Sequence, residues 1–357
     1  MKVCILGEGL TALTLAKALV NQEISVDLFL DSKLKTVDKS RTIGVSQNNI
    51  EYFTKYILNI NPLLWKIKKI EIFNSNLKDK KLLNFKNENQ FLFSMIKNHE
   101  LNNYLIKNLK KNKFFTLKKK INEKKIINSN YNLIINCDLK NSITKKFFYK
   151  KINKDYKAFA HTTIIQHKKI LNNVVATQIF TKKGPLAFLP LSEFETAVVY
   201  SAVGSKNIDL KSIIKKFNPK YSINKIKKIS NFELKSSDLR SYYYQNILAF
   251  GDLLHKIHPL AGQGFNMTIR DIKEIMNLIK FKIDHGLEID SSICKDFEKK
   301  AKHKNFLFSN GIDFIYEIFK LESQIKSSIL SKSIQLLGKN EYTNKFFIKF
   351  ANEGVKI

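Results

Sequence analysis

The stretch KVCILGEGLTALTLAKALV, residues 2–20, decides the fold of this chain. It begins with a short apolar run that ends at Gly7, and apolar residues then recur at helical spacing up to Val20. Residues 24–30 return to an apolar, strand-like run, so the N-terminus predicts a β-α-β unit. Between the first strand and the helix stands the pattern Gly7-x-Gly9-x-x-Ala12.

This glycine pattern predicts a dinucleotide site. Gly7 permits a tight turn, Gly9 lets the backbone approach a pyrophosphate, and the small Ala12 allows close packing of helix on strand. The amide groups at the start of the helix then face the negative charge. An ordinary glycine turn is the alternative interpretation. Asp31, just after the second strand, is the candidate for binding the adenosine ribose, although a plain turn aspartate explains it equally well.

Downstream, the hydrophobic pattern divides the chain into contrasting segments. Strand-like runs dominate residues 156–235, and a buried-strand pattern, NILAF, follows at 246–250. Apolar residues spaced four and three apart predict a helix over 265–280, and the chain from about 295 onwards has a basic, helical pattern. The lysine- and asparagine-rich stretch 110–125 is predicted to be solvated loop or helix surface. A sheet domain is therefore predicted to be inserted into a discontinuous nucleotide-binding domain.

The composition argues against several classes of protein. The 62 Lys and Arg against 31 Asp and Glu give a formal charge of +31, but only three of these cations are arginines. Duplex readers rely on arginine forks, so we attribute the charge mainly to solvated lysines, with weak attraction to anionic membranes and no nucleic-acid partner. The cysteines form no CxxC pair and no metal-ligand constellation appears, so no metal is predicted and a reducing cytoplasm fits best. No run of about 18 apolar residues predicts a membrane span.

The most specific segment is GDLLHKIHPLAGQGFNMTIRD, residues 251–271. It resembles the GD…H…HP-x-AGQG-x-N-x-x-x-x-D signature of the class A flavoprotein monooxygenases, in the form found in the hydroxylases of ubiquinone biosynthesis. Three other stretches resemble the same family: Arg41-x-x-x-x-Ser46, Asn98-x-x-Leu101-x-x-x-Leu105, and Gln178-x-Phe180 with the block GPLAFLPL at 184–191. The resemblance runs in order from residue 1 to the C-terminal helices.

The resemblance implies an FAD cofactor and assigns roles within this segment. Asp252, at the end of a strand, is expected to bind a ribityl hydroxyl, and Pro259 to rigidify the loop that meets the isoalloxazine ring. Gly262-Gln263-Gly264 leaves amide groups free at the start of the helix, and Asn266 belongs to the same signature. These amides and the helix dipole suit the negative charge of a reduced flavin.

Outside this segment, the resemblance places Arg41 against the flavin side of FAD. It also places Phe188 and Pro190, from the GPLAFLPL block, in the sheet wall of the substrate pocket. Plainer alternatives are a surface role for Arg41 and a core role for Phe188. His258 is the candidate catalytic residue, assisting deprotonation of a phenol together with His255, against a structural role in the loop.

The sequence departs from the family at its motif Asp-Gly-x-x-Ser before an arginine. The corresponding stretch is Asp138-Leu-Lys-Asn-Ser142, followed by Lys145 and Lys146, so the glycine and the arginine are missing. In related enzymes that stretch helps to position FAD and the nicotinamide donor, which puts the reduction step in question. Bulkier residues also replace the usual small ones at 253–254 and 267–268.

The fold implied by the resemblance is α/β, with a Rossmann-like FAD-binding domain, an inserted β-sheet substrate domain and a C-terminal helical tail. The predicted boundaries are 1–65, 95–150 and 240–290 for the FAD-binding domain, 66–94 and 151–239 for the substrate-binding domain, and 291–357 for the tail.

The implied activity is hydroxylation of the aromatic ring of a polyprenylated phenol or quinol in ubiquinone biosynthesis, with FAD, O2 and NAD(P)H. Two alternatives stay open: a non-catalytic FAD-binding subunit of a ubiquinone-biosynthesis complex, and a hydroxylase of a small soluble aromatic acid, which the scarcity of arginine disfavours.

So apolar a substrate predicts a cytoplasmic protein in peripheral contact with the inner membrane. Aromatic and aliphatic residues beside lysines in the tail suit such an interfacial helix, although they suit packing onto the FAD domain equally well. They are Phe314, Ile315, Ile318 and Phe319 before Lys320, and Phe346, Phe347, Ile348 and Phe350 among Lys345, Lys349 and Lys356.

Overall fold

In the computed structural model, the N-terminal apolar runs form adjacent parallel strands with a helix between them. The structure describes residues 1–30, 38–75, 81–86, 91–119, 123–204, 206–258 and 262–325, together with 349 and 354. The strands are β1 (Lys2–Leu6), β2 (Ser25–Leu30), β3 (Thr42–Ser46), β4 (Trp65–Ile67), β5 (Lys69–Asn74), β6 (Lys81–Lys86), β7 (Phe93–Lys97), β8 (Phe115–Lys119), β9 (Leu133–Asn136), β10 (Lys151–His167), β11 (Val175–Thr181), β12 (Gly184–Pro190), β13 (Glu195–Val203), β14 (Ile223–Ile226), β15 (Ser230–Leu239), β16 (Tyr243–Tyr244), β17 (Ile247–Ala249) and β18 (His255–Lys256).

The helices alternate with these strands in the first half of the chain and dominate its last third. They are α1 (Leu10–Val20), α2 (Gln47–Tyr56), α3 (Asn98–Leu109), α4 (Glu123–Ile127), α5 (Ser142–Phe147), α6 (Leu210–Phe217), α7 (Gln263–Asp284) and α8 (Ser292–Ile325). Short 3-10 turns cover Asn61–Leu63 and Gly251–Leu253.

The first sheet has the strand order β16-β17-β9-β1-β2-β8. All neighbours in it are parallel except β16, which pairs antiparallel with β17. Read from β8 to β17, the strands follow the order of a Rossmann sheet. The chain first adds strands on one side of β1 and then, from β9 onwards, on its other side, so the strand order reverses between β1 and β9. The strands are apolar because helices cover the sheet: α1, α7 and α8 share one core with β1, β2 and β9.

One sequence-based prediction is wrong at the edge of this sheet. The stretch 110–125 was expected to be solvated loop or helix surface, but β8 lies within it and pairs with β2. Most side chains of β8 are at least partly exposed, and its sequence FTLKK ends in two lysines. Lysines on an edge strand prevent pairing with other chains. The composition of β8 therefore resembles that of a surface loop.

A second sheet follows the order β18-β15-β10-β13-β12-β11-β5-β6, with β14 also paired to β10. The strand-like runs between 156 and 235 form its central strands, as predicted. Helix α6 covers one face, where its Leu210 and Ile214 join a core cluster with Phe188 and Tyr200. The other face is turned towards a three-stranded sheet, β3-β7-β4, through a cluster that contains Met95 of β7 and Leu189 of β12. An inserted sheet domain on a Rossmann-like domain is thus confirmed as the architecture, while the exact residue boundaries stay a prediction.

The described part of the tail is α8, which runs along α7. Phe308 and Ile312 face inward, whereas Phe314 is 68% exposed. Of the residues that we predicted to meet a membrane, Ile315 packs partly against the same inner cluster. Within the described ranges no helix is both long and apolar enough to cross a bilayer. Of the second predicted group, only Lys349 is described, and Lys345, Phe346, Phe347, Ile348, Phe350 and Lys356 lie outside the described residues.

Glu195 joins the three-stranded sheet to the large one. Its carboxylate at the start of β13 lies 2.9 Å from Nζ of Lys97, at the end of β7, and also accepts a hydrogen bond from Lys227. Burial works to raise the pKa of Glu195, but the hydrogen bonds from Lys227 and Lys97 outweigh it and lower the pKa to about 2. These contacts should therefore stabilise the charged carboxylate in the folded protein.

We expect Glu195→Gln to lower the free energy of unfolding near neutral pH by roughly 2 kcal/mol. Because the folded pKa is depressed, this difference is present above the ordinary glutamate value of 4.5 and shrinks as pH falls towards about 2. Chemical unfolding of both proteins at a series of pH values measures it. Glu193→Gln, two residues away in a more exposed pair with Lys169, is the matched control. A difference that stays constant from pH 7 to pH 3 would contradict the assignment.

Candidate active site

Three neighbouring strands of the Rossmann sheet, β1, β9 and β17, end at one edge. The residues that follow these strands are in close contact with one another or with α1. A Cβ on Gly7, which has φ +132°, would lie 3.1 Å from Cβ of Cys137 after β9. A Cβ on Gly251, which has φ +67°, would lie 2.5 Å from Cγ2 of Thr11 in α1. Only glycine fits at both places. The structure therefore brings the predicted motifs at 7–12 and 251–252 into contact, at the point where the strand order reverses.

Two other glycines of these motifs face open space. Gly9 immediately precedes α1, and Gly264 lies in the first turn of α7. Among the described residues, no atom outside their own backbone surroundings lies within 4 Å of a Cβ built on either residue. Packing against the described part of the chain therefore does not require glycine at these two positions. Glycine there keeps the N-termini of two helices accessible to a ligand, which is what a bound dinucleotide needs.

The start of α7 is fixed against β3. Gly262, with φ +64°, caps the helix and would place a Cβ 3.4 Å from the amide nitrogen of Gly44. Asn266 donates to the Gly44 carbonyl at 2.9 Å and accepts from the Ser46 amide and the Asn49 side chain, each at 2.9 Å. Both ends of the Asn266 side chain are thus engaged by the protein. The structure gives this predicted cofactor residue a local role, fixing α7 on β3.

Polar groups of the remaining predicted residues lie around this edge. Asp252 is exposed, whereas Gln263 is buried and its Oε1 has no hydrogen-bond partner among the described residues. Burial raises the pKa of the Cys137 thiol, and the negative charges of Asp252 and Asp138 raise it further. The thiol therefore stays neutral beside two carboxylates. Asp31 and Pro259, both predicted cofactor residues, lie outside the described residues.

The two histidines of the motif are both buried. The His258 ring stacks on Tyr316 of α8 with centroids 4.2 Å apart and meets Tyr156 of β10 edge-on at 4.9 Å. Burial, followed by the charge of Lys154, lowers its pKa to about 3. His258 is therefore a neutral ring within an aromatic cluster between the large sheet and the tail. This favours its structural interpretation, and a catalytic role stays a prediction.

Phe188 and Pro190, which we predicted for the substrate pocket, lie on the α6 face of the large sheet. The opposite face is turned towards the three-stranded sheet and α7. Phe188 is fully buried beneath α6, and the alternation of a strand puts Pro190 on the same face. On the opposite face, Ala187, Leu189 and Val199 are only partly buried, although they lie on central strands. Sequence analysis missed these three residues because the GPLAFLPL block alone does not reveal which of its two faces α6 covers.

Arg41 lies over the large sheet. Its guanidinium carbon is 4.8 Å from the centre of the Phe232 ring on β15, and its side chain is exposed. Its carbonyl accepts a hydrogen bond of 3.1 Å from the Asn98 amide, which fixes the backbone at the start of α3. A flavin contact for Arg41 stays a prediction.

The stretch that departs from the family forms a closed turn. Asn136 donates to Thr144 at 2.8 Å, and Asn141 donates to Asn136 at 2.8 Å while accepting from the Thr144 amide at 2.8 Å. All three side chains are buried. Lys145 and Lys146 in the following helix, α5, are exposed. An internal asparagine network thus holds this turn, in which the family's glycine and arginine are missing.

Comparison with known proteins shows relatives along most of the chain, although no family model matches it. Ubiquinone biosynthesis monooxygenase COQ6 of Schizosaccharomyces pombe is 23% identical over 275 residues, covering 62% of this chain and 57% of that protein. The Dictyostelium discoideum protein of the same name is 22% identical over 437 residues, covering 94% and 88%. The 3-demethoxyubiquinol 3-hydroxylase of Escherichia coli is 27% identical over 152 residues, covering 40% and 39%. The matched regions thus span less than two thirds of two of these three relatives.

Solved structures match over nearly the whole chain. The p-nitrophenol 4-monooxygenase PnpA of Pseudomonas putida superposes with a TM-score of 0.80 at 10% identity, covering 99% of this chain and 98% of that one. Klebsiella pneumoniae HpxO, solved with FAD and uric acid, gives 0.75 at 10% identity, covering 99% and 97%. At such identity these likenesses establish the fold. The chain is therefore a sequence relative of the ubiquinone-biosynthesis monooxygenases and has the fold of FAD-dependent monooxygenases.

Proposed function

We propose that this protein binds FAD and hydroxylates the aromatic ring of a polyprenylated phenol or quinol in ubiquinone biosynthesis. The observation that carries the proposal is the meeting of two glycine motifs at one edge of the Rossmann sheet. There Gly9 and Gly264 leave the N-termini of α1 and α7 open among the residues that the structure describes. The names of the sequence relatives supply the reaction class and the pathway.

The residues at this edge fit FAD by their chemistry. The amides at the start of α1 suit a pyrophosphate, and those at the start of α7 suit the pyrimidine end of a flavin. The exposed carboxylate of Asp252 is free to accept a hydrogen bond from a ribityl hydroxyl. When bound, FAD supplies the electron transfer and activation of O2 that ring hydroxylation needs. The role of this chain is to orient both partners and exclude water.

We place the aromatic ring over Ala187, Leu189 and Val199. These side chains are small or aliphatic and lie on the face of the large sheet opposite α6. The partial exposure of Ala187 and Val199 at the centre of a sheet indicates room above them, and Leu189, which also packs against the cluster around Met95, borders that space. Apolar walls of this kind suit a quinol ring that carries a prenyl chain and do not offer a carboxylate a partner.

A nicotinamide donor, NADH or NADPH, completes the proposed reaction. One observation favours a second candidate function, that of an FAD-binding accessory subunit in a ubiquinone-biosynthesis complex. It is the asparagine network at 136–144, which stands where related enzymes carry the motif that positions FAD and the donor. If the nicotinamide donor does not reduce FAD efficiently, the protein would bind the cofactor without catalysing hydroxylation.

Deletion of the gene, followed by mass analysis of the accumulated quinone intermediates, tests the function. We expect a prenylated aromatic precursor that lacks one ring oxygen, and its mass identifies the step. Complementation with Ala187→Phe separates the two candidates, because the larger ring fills the proposed pocket and leaves the FAD edge untouched. A catalytic protein loses hydroxylation in this variant, whereas an accessory subunit keeps it. Unchanged intermediates after deletion would overturn both.

We further propose that the protein receives its apolar substrate at an anionic membrane surface through the outer face of α8. Phe306, Phe314 and Leu321 are 44%, 68% and 50% exposed there and recur every seven or eight residues, about two helical turns. Lys299 and Lys300 are exposed on the same helix. Exposed aromatic residues beside lysines suit the interface of an anionic bilayer.

In liposome flotation we expect binding to anionic vesicles that weakens as salt rises, since lysine attraction is screened. The double change Phe306→Ser and Phe314→Ser should move the protein largely into the soluble fraction without unfolding it, because both side chains are exposed. Leu171→Ser, which changes an exposed residue of the sheet domain, is the control and should float like the wild type. A wild-type protein that stays soluble at low salt would leave delivery by a partner protein as the better explanation.

A further inference from the structure

A buried ion pair lies behind the proposed cofactor edge. Nε2 of His255, at the start of β18, is hydrogen-bonded to Oδ2 of Asp271 in α7, and both residues are 2% exposed. The second carboxylate oxygen of Asp271 accepts from the side chain of Asn305 in α8 at 2.9 Å. The pair therefore ties β18, α7 and α8 together.

The charges around this pair favour its ionised form. Burial works to lower the pKa of His255, but the nearby carboxylates of Asp271, Asp238 and Asp252 outweigh it and raise the pKa above its ordinary value. A carboxylate as deeply buried as that of Asp271 is costly unless it is paired. Loss of either partner would leave the other uncompensated.

The position of the pair gives it a further consequence. His255 follows Asp252 by three residues, and Asp271 follows Gly264 by seven, so the contact closes residues 255–271 into a ring. On one side of this ring Gly251 is fixed against Thr11, and on the other Gly262 lies close to Gly44. The pair is a direct polar link between the two halves of the motif.

We propose that His255 and Asp271 are positioning residues, which set the separation between Asp252 and the N-terminus of α7 so that one FAD meets both. This inference rests on the proposed function. Neither residue is placed to exchange protons with a substrate, because both are buried and each is the partner of the other.

The test compares FAD affinity with stability in His255→Gln, Asp271→Asn and the double variant. Asp271→Asn is nearly isosteric and keeps a hydrogen-bonding side chain, so it should fold. We expect each single variant to weaken FAD binding about tenfold, and the double variant to be little worse than the weaker single one, because the two residues act as one unit. Flavin fluorescence quenching measures the affinity, and visible circular dichroism at saturating FAD should show an altered flavin environment.

His167→Gln is the matched control. His167 is also 2% exposed and hydrogen-bonded, to Thr196 at 3.0 Å and to the Lys168 carbonyl at 2.8 Å, but it lies in the large sheet beneath α6. This variant should lose stability while keeping wild-type FAD affinity and circular dichroism. If Asp271→Asn lowers the melting temperature but binds FAD as the wild type does, the pair is purely structural and the inference is overturned. A wild-type protein that binds no FAD overturns the proposed function, and the inference with it.

Discussion

Gly264→Val should produce a folded protein that no longer binds FAD well. The wild type is expected to be yellow, with flavin absorbance bands, whereas the variant should be nearly colourless. Within the described part of the chain, no atom outside the local helix backbone lies within 4 Å of the new Cβ, so the side chain is expected to project in front of the α7 amides. Loss of charge-assisted hydrogen bonds there is worth roughly 1.5–3 kcal/mol, or about ten- to hundredfold in affinity. Fluorescence titration of the apoprotein with FAD measures it.

The neighbouring glycine gives the contrast. Gly262 has φ +64°, a backbone conformation that strains any residue with a side chain, and a Cβ there would already contact the Gly44 backbone at 3.4 Å. Gly262→Val should therefore destabilise the fold itself, by about 1–3 kcal/mol, whereas Gly264→Val should change the free energy of unfolding by less than about 1 kcal/mol. Equal destabilisation in both variants, with FAD affinity unchanged in Gly264→Val, would show that the loop serves packing alone.

Asn266→Ala should be among the most destabilising single changes in the chain. It removes the side chain that bonds the buried Gly44 carbonyl and the Ser46 amide, and it leaves the Asn49 side chain with a longer hydrogen bond, of 3.3 Å, to the Asn266 carbonyl. An unsatisfied buried carbonyl or amide costs about 1–3 kcal/mol, so we expect a loss of at least about 2 kcal/mol in the free energy of unfolding. Urea unfolding of the apoprotein measures it without interference from the cofactor.

Two further variants sharpen this result. Asn266→Asp keeps oxygen acceptors for Ser46 and Asn49 but sets an oxygen against the Gly44 carbonyl, so it should also be destabilised. Asn173→Ala, in the large sheet, removes a buried asparagine with one good hydrogen bond, to the Ser192 carbonyl at 2.9 Å. It should cost less and leave FAD affinity unchanged. A loss below about 1 kcal/mol in Asn266→Ala would contradict the role assigned to this residue.

The fold was predictable wherever either burial or backbone geometry alone determines the sequence pattern. The run before Gly7, the helix after it and the segment 251–271 were each found because burial or backbone geometry dictates their residues. Strand β8 was missed because an edge strand that is largely exposed carries the lysines of a surface loop. The sequence left open whether the tail packs onto the FAD domain or meets a membrane, since a helix with apolar residues on two faces gives no clue to which face the core covers.

The site was only partly predictable, because a motif names residues without giving the direction of each side chain. Gly7 and Gly251 lie at the same edge of the Rossmann sheet, in contact with Cys137 and Thr11, while their role in binding FAD stays a prediction. Phe188, in contrast, points beneath α6, and the residues one position away from it line the other face. His258 shows the same limit, because its aromatic neighbours Tyr156 and Tyr316 come from distant parts of the chain.

The contact between Gly251 and Thr11 has a consequence for synthesis of the protein on the ribosome. Strand β1 acquires its neighbours β2 and β9 by residue 136, but β17, which covers the open side of β9, is made only after every strand of the large sheet except β18. During that interval β9 is an exposed edge, able to pair with other nascent chains. The inserted sheet must fold while this edge waits. Binding of the cofactor is therefore a late event. Overexpressed protein should aggregate through the exposed edge of β9 when translation is faster than folding of the inserted sheet and pairing of β17 with β9.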